Sequence, residues 1–461
     1  MLEKVLAVID EGLPQSLERL FALLAIDSIS TDPDYRESCR RAAEWLVADL
    51  NSMGFSASAR PTPGHPVVVG HHPGTGPHVL FYAHYDVQPV DPLEQWEAPP
   101  FAPRLVTQPD GRKWIAARGA ADDKGQMMTF LEAARAWKAI TGSLPVRVTV
   151  LLEGEEESGS VNLKPFLEAH VGELKADVAL ICDTGMWSAT RPAITTSLRG
   201  LTAEEVIVTA ADRDLHSGMF GGAARNPIHV LAAALAALHD ESGRVTLPGF
   251  YDGVADVPAE IVRQWGGLGF DAKAFLGDVG LSLPAGEAER SVLEQIWARP
   301  TCEVNGIIGG YTKPGFKTVI PSQASAKVSF RLVGDQDPAK IAASFRAFIR
   351  ALVPADCKVE FIAYAGNPGI RLPVDGPWIK RARQALAAEW GEEPALVGAG
   401  GSIPVAGDFK SVLGLDSVMI GFGLDDDRIH SPNEKYDLTS FHGGIRSWAR
   451  VLAAFAEQSA S

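Results

Sequence analysis

The sequence predicts an α/β fold in which a mixed-sheet domain is interrupted by a smaller α+β insert. Helical and strand patterns alternate over the first ~190 residues, as they do in α/β sheets. The runs at 146–152 and 178–182 are largely apolar, which is typical of interior strands covered on both faces. The total of 461 residues exceeds what one hydrophobic core usually holds. We therefore expect two domains, one formed by segments 1–195 and 371–461 and the other by an insert at 196–370.

The elements of the first segment follow from local patterns. Apolar residues recur at helical spacing in 16–25, and a second helix over 42–53 ends at Gly54, a residue type that favours a helix C-terminus. The remaining elements of this segment are a long helix at 125–140 and strands at 67–70, 78–83, 146–152 and 178–182.

The insert shows a β-α-β-β-α-β order of patterns. These are a strand at 201–210, a helix at 226–239, two strands within 317–332, a helix at 338–352 and a strand at 358–365. That order predicts a ferredoxin-like domain, which an irregular excursion with short helices interrupts at 243–300. The first domain then resumes with a helix at 378–390, a buried strand from Ser417 and a closing helix at 440–458.

The composition excludes two classes of partner. Hydrophobic residues make up 46% and charged residues 21% of the chain, as in ordinary soluble proteins, and the net charge is -15. This negative charge argues against nucleic acid and against an anionic membrane surface as partners. Segment 1–11 has a charged amphipathic pattern unlike a signal peptide, and no apolar run reaches membrane-spanning length. The cysteines are scattered, so we expect free thiols and a cytoplasmic protein.

Metal-ligating residue types cluster where predicted strands end. Such side chains are His84 and Asp86 after the strand at 78–83, Asp122 and Asp123 before the long helix, the glutamates at 153 and 155–157, Asp183 after the strand at 178–182, and His430 after the strand from Ser417. Ligands of open α/β sheets gather beyond the carboxyl ends of the strands, so we expect these side chains to meet.

Taken singly, these side chains have ordinary explanations, since aspartates cap helices and glutamate runs are usually solvated. Together they are hard to explain by caps and turns, because adjacent carboxylates at the mouth of a buried strand repel one another unless a cation lies among them. Imidazole and carboxylate without thiolate fit two divalent ions, with Zn²⁺ preferred and Mn²⁺ or Co²⁺ compatible. A bridging carboxylate would hold the ions about 3.5–4 Å apart, and a further free carboxylate would carry the proton of water.

Specific motifs carry a resemblance that extends nearly end to end. They are His84-Tyr-Asp-Val-Gln-Pro, Gly119-Ala-Ala-Asp-Asp-Lys-Gly, Glu153-Gly-Glu-Glu-Glu-Ser-Gly-Ser, Asp214-Leu-His-Ser-Gly-Met-Phe-Gly-Gly, Lys317-Thr-Val-Ile-Pro, Gly400-Gly-Ser-Ile-Pro and His430-Ser-Pro-Asn-Glu-Lys. In these motifs the chain resembles metallopeptidase family 20, which includes carnosine dipeptidases, carboxypeptidase G, aminoacylases and succinyl-diaminopimelate desuccinylase. The residues of these motifs are most similar to those of the dipeptidase branch.

The resemblance implies a dinuclear zinc-peptidase catalytic domain. The implied metal ligands are His84, Asp122, Glu157, Asp183 and His430. Asp122 bridges both metals and precedes a cis peptide, and Asp86 stands behind the ring of His84. Glu156 is the general base and acid, which takes a proton from the attacking water and returns it to the leaving amine. Glu155 is outside this set, so an alignment with the family must not shift the glutamate run by one residue.

The resemblance also implies that the insert is a lid that forms a homodimer. His216 then reaches the partner subunit's active site and stabilises the developing oxyanion. Arg331 clamps the substrate carboxylate, a task that guanidinium performs bidentately, and Thr318 approaches the substrate. Gly401 and Ser402 line the carboxylate end.

One departure bears on the substrate. Peptidases of the carnosinase type have Arg-Glu before the Gly-Gly-Ser-Ile-Pro motif, and that Glu helps hold a free substrate amine, whereas here the positions are Gly398 and Ala399. We predict a dinuclear metal-dependent hydrolase that cleaves the amide bond of dipeptides or similar small substrates with a free carboxylate. The close alternative is deacylation of N-acyl amino acids. A non-catalytic metal-binding scaffold is more remote, because every predicted ligand and the base are present.

Overall fold

The computed structural model describes residues 1–364, 366–401 and 403–457. The chain divides into two compact units. The first unit comprises Met1–Thr196, Leu372–Val397 and the segment from Pro404 onward, and the second comprises Ser197–Arg371 and Gly398–Ile403.

The segment Gly398–Ile403 groups with the second unit, whereas the sequence assigns it to the first domain. Two hydrogen bonds from Arg199 to this segment are the physical reason for the grouping. The main-chain N–H of Arg199 donates to the carbonyl oxygen of Ala399 at 3.2 Å, and its Nε donates to the carbonyl oxygen of Gly400 at 3.2 Å.

The elements are numbered along the chain. The strands are β1 (Ser56–Arg60), β2 (Val67–His72), β3 (His78–His84), β4 (Arg104–Thr107), β5 (Lys113–Ala116), β6 (Arg147–Glu153), β7 (Val178–Ile181), β8 (Ala193–Leu198), β9 (Gly200–Thr209), β10 (Leu215–His216), β11 (Thr301–Gly309), β12 (Val319–Ile320), β13 (Gln323–Leu332), β14 (Lys358–Ala363), β15 (Ile370–Arg371), β16 (Ala395–Ala399), β17 (Ser417–Met419) and β18 (Lys435–Asp437). The α-helices are α1 (Leu2–Glu11), α2 (Leu13–Leu24), α3 (Arg36–Ser52), α4 (Lys124–Thr141), α5 (Leu163–Ala169), α6 (Val171–Leu174), α7 (Ser217–Phe220), α8 (Pro227–Ala236), α9 (Ala259–Gly266), α10 (Ala272–Gly277), α11 (Val292–Trp297), α12 (Pro338–Leu352), α13 (Pro377–Trp390), α14 (Pro404–Asp408) and α15 (Leu438–Ala456).

The first unit is built on a mixed sheet, as predicted. Its strands follow the order β1-β2-β6-β3-β7-β17-β8, with β16 beside β8. β3 is parallel to β6 and β7, and β17 is parallel to β7, so the carboxyl ends of these four strands lie at one edge. Phe81 of β3 stacks on Phe130 of α4 with 3.7 Å between ring centroids, and Trp448 of α15 packs edge-on against both rings. This packing fixes the start of α4 beside the end of β3.

The second unit contains a four-stranded antiparallel sheet of order β11-β13-β9-β14. Helices α8 and α12 contribute Leu231 and Phe345 to one hydrophobic core with Val206 of β9 and Phe330 of β13. The sequence of elements β9-α8-β11-β13-α12-β14 is the β-α-β-β-α-β order of a ferredoxin-like domain. The short strands β10 and β12 pair separately, and α9, α10 and α11 lie in the excursion at 243–300.

The prediction is wrong for the second strand of the insert. The sequence pattern places both middle strands within 317–332, whereas the structure has β11 at Thr301–Gly309 and only the two-residue β12 ahead of β13. Val304, Ile307 and Ile308 of β11 are exposed, and the pairing register shifts between Val304 and Gly306. The apolar side chains of β11 therefore do not alternate between core and solvent, which hides the strand pattern.

Smaller differences concern short or polar elements. Local patterns do not predict β1, β4, β5, β8, β16 and β18. The predicted ends of two elements, at 365 and 458, lie outside the described residues. None of the helices in the described part of the chain combines the length and hydropathy needed to cross a lipid bilayer.

Candidate metal centre

The predicted metal ligands meet in the first unit. His84 ends β3, Asp122 precedes α4, Glu157 follows β6, Asp183 follows β7, and His430 lies in the loop before β18. Ligand atoms of His84, Asp122 and Asp183 lie within 4.8 Å of one another, and so do those of Asp122, Glu157 and His430. The structure therefore forms two triads of potential ligands that share Asp122.

The carboxylate of Asp122 faces one histidine with each oxygen. Its Oδ1 lies 3.0 Å from Nε2 of His84, and its Oδ2 lies 2.9 Å from Nε2 of His430. The same nitrogen of His430 lies 3.3 Å from Oε2 of Glu157. The two oxygens of Asp122 therefore face different groups of potential ligands. The peptide bond between Asp122 and Asp123 is cis, as the resemblance implies.

The surroundings of His84 indicate a cation beside its ring. Nδ1 lies 3.1 Å from the main-chain oxygen of Asp86 and 3.4 Å from its Oδ1, so this nitrogen carries the proton. In the neutral ring, Nε2 then presents a lone pair to Oδ1 of Asp122, which is also an acceptor. Two acceptors, Nε2 of His84 and Oδ1 of Asp122, can lie this close only if a metal ion or a second proton lies between them. Imidazole and carboxylate oxygen are donors that Zn²⁺ accepts, so the residues fit a divalent ion.

The charge of the buried acids also indicates a divalent cation at this place. Burial and two neighbouring aspartates raise the pKa of Asp183 well above its usual value. Burial raises the pKa of Glu156 to about 8, an effect that His84 opposes and Asp183 strengthens. Burial also disfavours ionised Asp122, but the neighbouring His430 and His84 hold its pKa below the usual value. Divalent cations would balance the negative charge that these side chains concentrate in one place.

Asp86 connects the two triads. Its main-chain oxygen faces Nδ1 of His84, while its Oδ1 accepts a hydrogen bond from the main-chain N–H of Glu156 at 3.2 Å. Its Oδ2 accepts from the main-chain N–H of Glu157 at 3.0 Å, and Asp86 is fully buried. The sequence indicates Asp86 as a support for the His84 ring alone, because a hydrogen bond to a main chain 70 residues away leaves no local pattern.

Glu155 points away from both triads. Its Oε1 accepts a hydrogen bond from the main-chain N–H of His65 at 3.1 Å, and its Oε2 accepts from Nδ2 of Asn162 at 2.8 Å. At the start of the run, Oε2 of Glu153 accepts from the hydroxyl of Tyr82 at 2.6 Å. The glutamate run therefore divides into two pairs. Glu153 and Glu155 are held by hydrogen bonds to other parts of the first unit, whereas Glu156 and Glu157 face the predicted metal positions.

Sequence reasoning misses Glu434, which holds the Asp122 loop. The fully buried carboxylate of Glu434 accepts from Nη1 of Arg118 at 2.8 Å. It also accepts from the main-chain N–H groups of Gly119, Ala121 and Asp122 at 2.9, 2.9 and 3.1 Å. Glu434 and Arg118 lie in or beside conspicuous motifs, but the 316 residues between them hide their pairing in the sequence.

The loop that carries His430 has an unusual backbone. Arg428, His430 and Asn433 have φ angles of 56°, 60° and 63°, in a region that side chains other than glycine seldom occupy. Asn433 anchors the loop, because its Oδ1 accepts from the main-chain N–H of Glu97 and its Nδ2 donates to the carbonyl oxygen of Gln95, both at 2.8 Å. Such conformations are commonly found at functional sites.

The predicted substrate-contacting residues belong to the second unit. His216 ends β10, and the pairing of β10 with β12 places it beside Thr318, whose carbonyl oxygen accepts from the N–H of the residue after His216 at 3.0 Å. The exposed ring of His216 accepts a hydrogen bond from the N–H of Gly218 at 3.0 Å. Of the others, Arg331 is half-buried on β13, Gly401 lies in Gly398–Ile403, and Ser402 lies outside the described residues.

Comparison with known proteins identifies the family. The profile of peptidase family M20/M25/M40 matches residues 80–454. The chain belongs to this family. It is therefore a peptidase-type hydrolase, and the family implies divalent metal ions.

Individual relatives agree along the whole chain. The Cys-Gly metallodipeptidase DUG1 of Candida albicans is 30% identical over 477 residues, which cover 98% of this chain and 96% of that protein. The crystal structure of human carnosine dipeptidase 1 has a TM-score of 0.79 and 28% identity, and covers 99% of both chains. The M20 family metallo-carboxypeptidase Sso-CP2 from Sulfolobus solfataricus has a TM-score of 0.82 and 31% identity over 96% of this chain and 99% of that one. These similarities confirm the predicted family, its dipeptidase branch and the fold class.

Proposed function

We propose that this protein hydrolyses dipeptides, or similar small amides with a free C-terminal carboxylate, with two divalent metal ions held by the two triads. The observation that carries the proposal is Asp122, whose two oxygens face His84 and His430 at 3.0 and 2.9 Å. The names of similar proteins support the substrate class, since they include a Cys-Gly metallodipeptidase and a carnosine dipeptidase.

The donors support the choice of metal. His84 and Asp183 would hold one ion, Glu157 and His430 the other, and Asp122 both. Bound divalent ions supply Lewis-acid charge that polarises an amide carbonyl and makes water more acidic. Zn²⁺ is the preferred ion, and Mn²⁺ and Co²⁺ accept the same imidazole and carboxylate donors.

We assign the proton transfer to Glu156. Its main-chain N–H donates a hydrogen bond to Oδ1 of Asp86. Its carboxyl group has no hydrogen-bond partner among the described residues. A free carboxylate beside the ligand Glu157 is suited to take a proton from the attacking water and to return it to the leaving amine.

We assign the carboxylate end of the substrate to the second unit. The side chain of Arg331 has no hydrogen bond or ion pair with any described residue, which leaves its guanidinium available for a substrate carboxylate. In the same proposal Thr318, Gly401 and Ser402 contact the substrate. His216, exposed at the end of β10, stabilises the oxyanion in the partner subunit's active site.

An edge strand supports a homodimer formed through the second unit. β11 lies at one edge of its sheet, and Val304, Ile307 and Ile308 on it are 41%, 61% and 65% exposed. Exposed apolar side chains on an unpaired edge favour pairing with another copy. Ile307→Glu is expected to give a monomer in light scattering after size exclusion, and the control Ile362→Glu on the opposite edge strand β14 a dimer. A dimer in both variants would place the interface elsewhere.

Deacylation of N-acyl amino acids is the second candidate. Ala399 stands where peptidases of the carnosinase type have an amine-binding glutamate. At Gly398 an added Cβ would lie 2.6 Å from the Cβ of Trp297, so this position excludes a larger side chain. A chelated sample restored with Zn²⁺ or Mn²⁺ should be tested on dipeptides with and without N-acetylation. Hydrolysis of the free peptides supports the dipeptidase, preference for the acetylated set supports the deacylase, and metal binding without hydrolysis supports a scaffold.

We also propose a cytoplasmic location. All four cysteines are free thiols, and Cys39, Cys182 and Cys302 are buried. Free thiols are typical of reducing compartments. Fractionation of source cells with detection by antibody tests this location, and recovery in a secreted fraction would contradict it.

A further inference from the structure

Two arginines lie on the same side of the sheet in the second unit. In the pairing of β9 with β13, Leu201 is opposite Arg331 and Gly200 is opposite Leu332. Arg199 lies between β8 and β9, and burial alternates from Leu198 to Leu201, with Leu198 and Gly200 buried and Arg199 and Leu201 half-buried. Arg199 therefore continues the face of Leu201 and lies close enough to Arg331 for the two charges to interact. That face is opposite the hydrophobic core, to which Phe330 and Leu332 belong.

Arg199 is tied to the glycine segment after β16. Its Nε donates to the carbonyl oxygen of Gly400 at 3.2 Å, and its Nη1 lies 3.5 Å from the carbonyl oxygen of Gln295. A Cβ added to Gly400 would lie 2.9 Å from Nη2 of Arg199, so the guanidinium lies directly against this glycine. Nη2 itself makes no hydrogen bond to any described residue.

The positive charge of the pair is not balanced by the protein. Neither Arg199 nor Arg331 has an ion pair within 4.0 Å in the described part of the chain, and the acid nearest in register, the exposed Glu303, is paired with neither. Burial and the charge of Arg331 together lower the pKa of Arg199 to about 10, although Glu303 opposes this shift. A purely structural arginine would explain the bond to Gly400 but not a second unpaired guanidinium beside it.

We propose that Arg199 determines specificity together with Arg331: it fixes Gly400 through Nε and offers Nη2 to the carboxylate end of the substrate. This inference rests on the proposed function, because it names a further residue of the same carboxylate-binding site. Charge-assisted hydrogen bonds from two guanidiniums would favour a free acid over a neutral carboxamide.

The test compares a dipeptide with its C-terminal amide. Arg199→Met is expected to raise KM for the free acid about 10- to 100-fold, the scale of one charge-assisted hydrogen bond, with kcat little changed. Hydrolysis of the amide should change little, so the acid-to-amide ratio of kcat/KM falls. Arg199→Lys should recover part of the ratio, because it restores the charge without the planar fork. The control is Arg371→Met, an exposed arginine of the same unit.

Equal losses on both substrates, or an unchanged ratio, would overturn the inference. A second measurement does not depend on changing Arg199. In Glu156→Gln, modification of Arg199 by phenylglyoxal, mapped by mass spectrometry, should be slowed by the free acid and not by the amide; equal rates would overturn the inference. Wild-type protein that cleaves neither substrate would refute the proposed function, while the protection experiment would still report whether Arg199 binds a carboxylate.

Discussion

The carboxylate of Glu434 accepts a hydrogen bond from the main-chain N–H of Asp122 at 3.1 Å, across 312 residues of sequence. The same carboxylate pairs with Arg118, and the side chains of both are almost completely buried. One buried ion pair thereby fixes the loop that presents the shared ligand to both triads.

Glu434→Gln is expected to lower the free energy of unfolding by about 3–5 kcal/mol, because it leaves the charge of Arg118 buried and unpaired. Urea denaturation measures the change. The matched control is Glu393→Gln, whose partner Arg383 lies 3.3 Å away on the surface, and we expect a loss of at most about 1 kcal/mol. Similar losses in both variants would mean that the buried pair has no special structural role.

Glu156→Gln is expected to keep both metals and to lower kcat by about 10²- to 10⁴-fold, because the amide cannot take the proton. The control Glu155→Gln should remain active, since Glu155 is bonded to His65 and Asn162 and faces neither triad. Steady-state kinetics and elemental analysis check both variants. Full activity in Glu156→Gln together with loss of activity in Glu155→Gln would show that Glu155 is the general base instead of Glu156.

Asp86→Asn is expected to lower kcat/KM by about 10- to 100-fold. The amide replaces one acceptor oxygen with a donor, so either the N–H of Glu156 or that of Glu157 loses its hydrogen bond. Kinetics and metal affinity measure the effect, with the exposed Asp110→Asn as control. Wild-type values in Asp86→Asn would show that these two bonds do not position the loop.

Removal of metal should lower the melting temperature by several degrees, because the buried carboxylates then repel one another. Binding to the folded state alone stabilises it by about 2.7 kcal/mol at a ligand concentration 100 times the Kd. Differential scanning fluorimetry with chelator, and again after Zn²⁺ is restored, measures the shift. His430→Ala, which removes one predicted ligand, should show a smaller shift. A melting temperature that is the same with and without chelator would contradict a metal bound in the folded state.

The sequence predicts that the candidate ligands lie close together because parallel strands bring their carboxyl ends to one edge, and the structure brings these side chains together. His84 and Asp183 directly follow apolar runs, so their positions in the sheet are readable from local pattern. The loop containing His430 can be placed only through the resemblance, since its backbone conformation depends on side-chain bonds such as those of Asn433.

The remaining features depend on contacts between distant segments. The pairing of Glu434 with Arg118 leaves no periodicity in either segment. β11 has exposed apolar residues and an irregular register, so its pattern does not distinguish it from a loop. The roles of His216, Thr318 and Arg331 stay predictions, to be tested with substrate.

Metal stoichiometry in site variants tests the central claim most directly. Elemental analysis of protein purified with Zn²⁺ is expected to give two ions per chain in the wild type and one in either His84→Ala or His430→Ala. Asp122→Ala should lose most of both ions, because it removes the shared ligand. One ion per chain in the wild type, or an Asp122→Ala variant that retains one ion at full affinity, would contradict a dinuclear site bridged by Asp122.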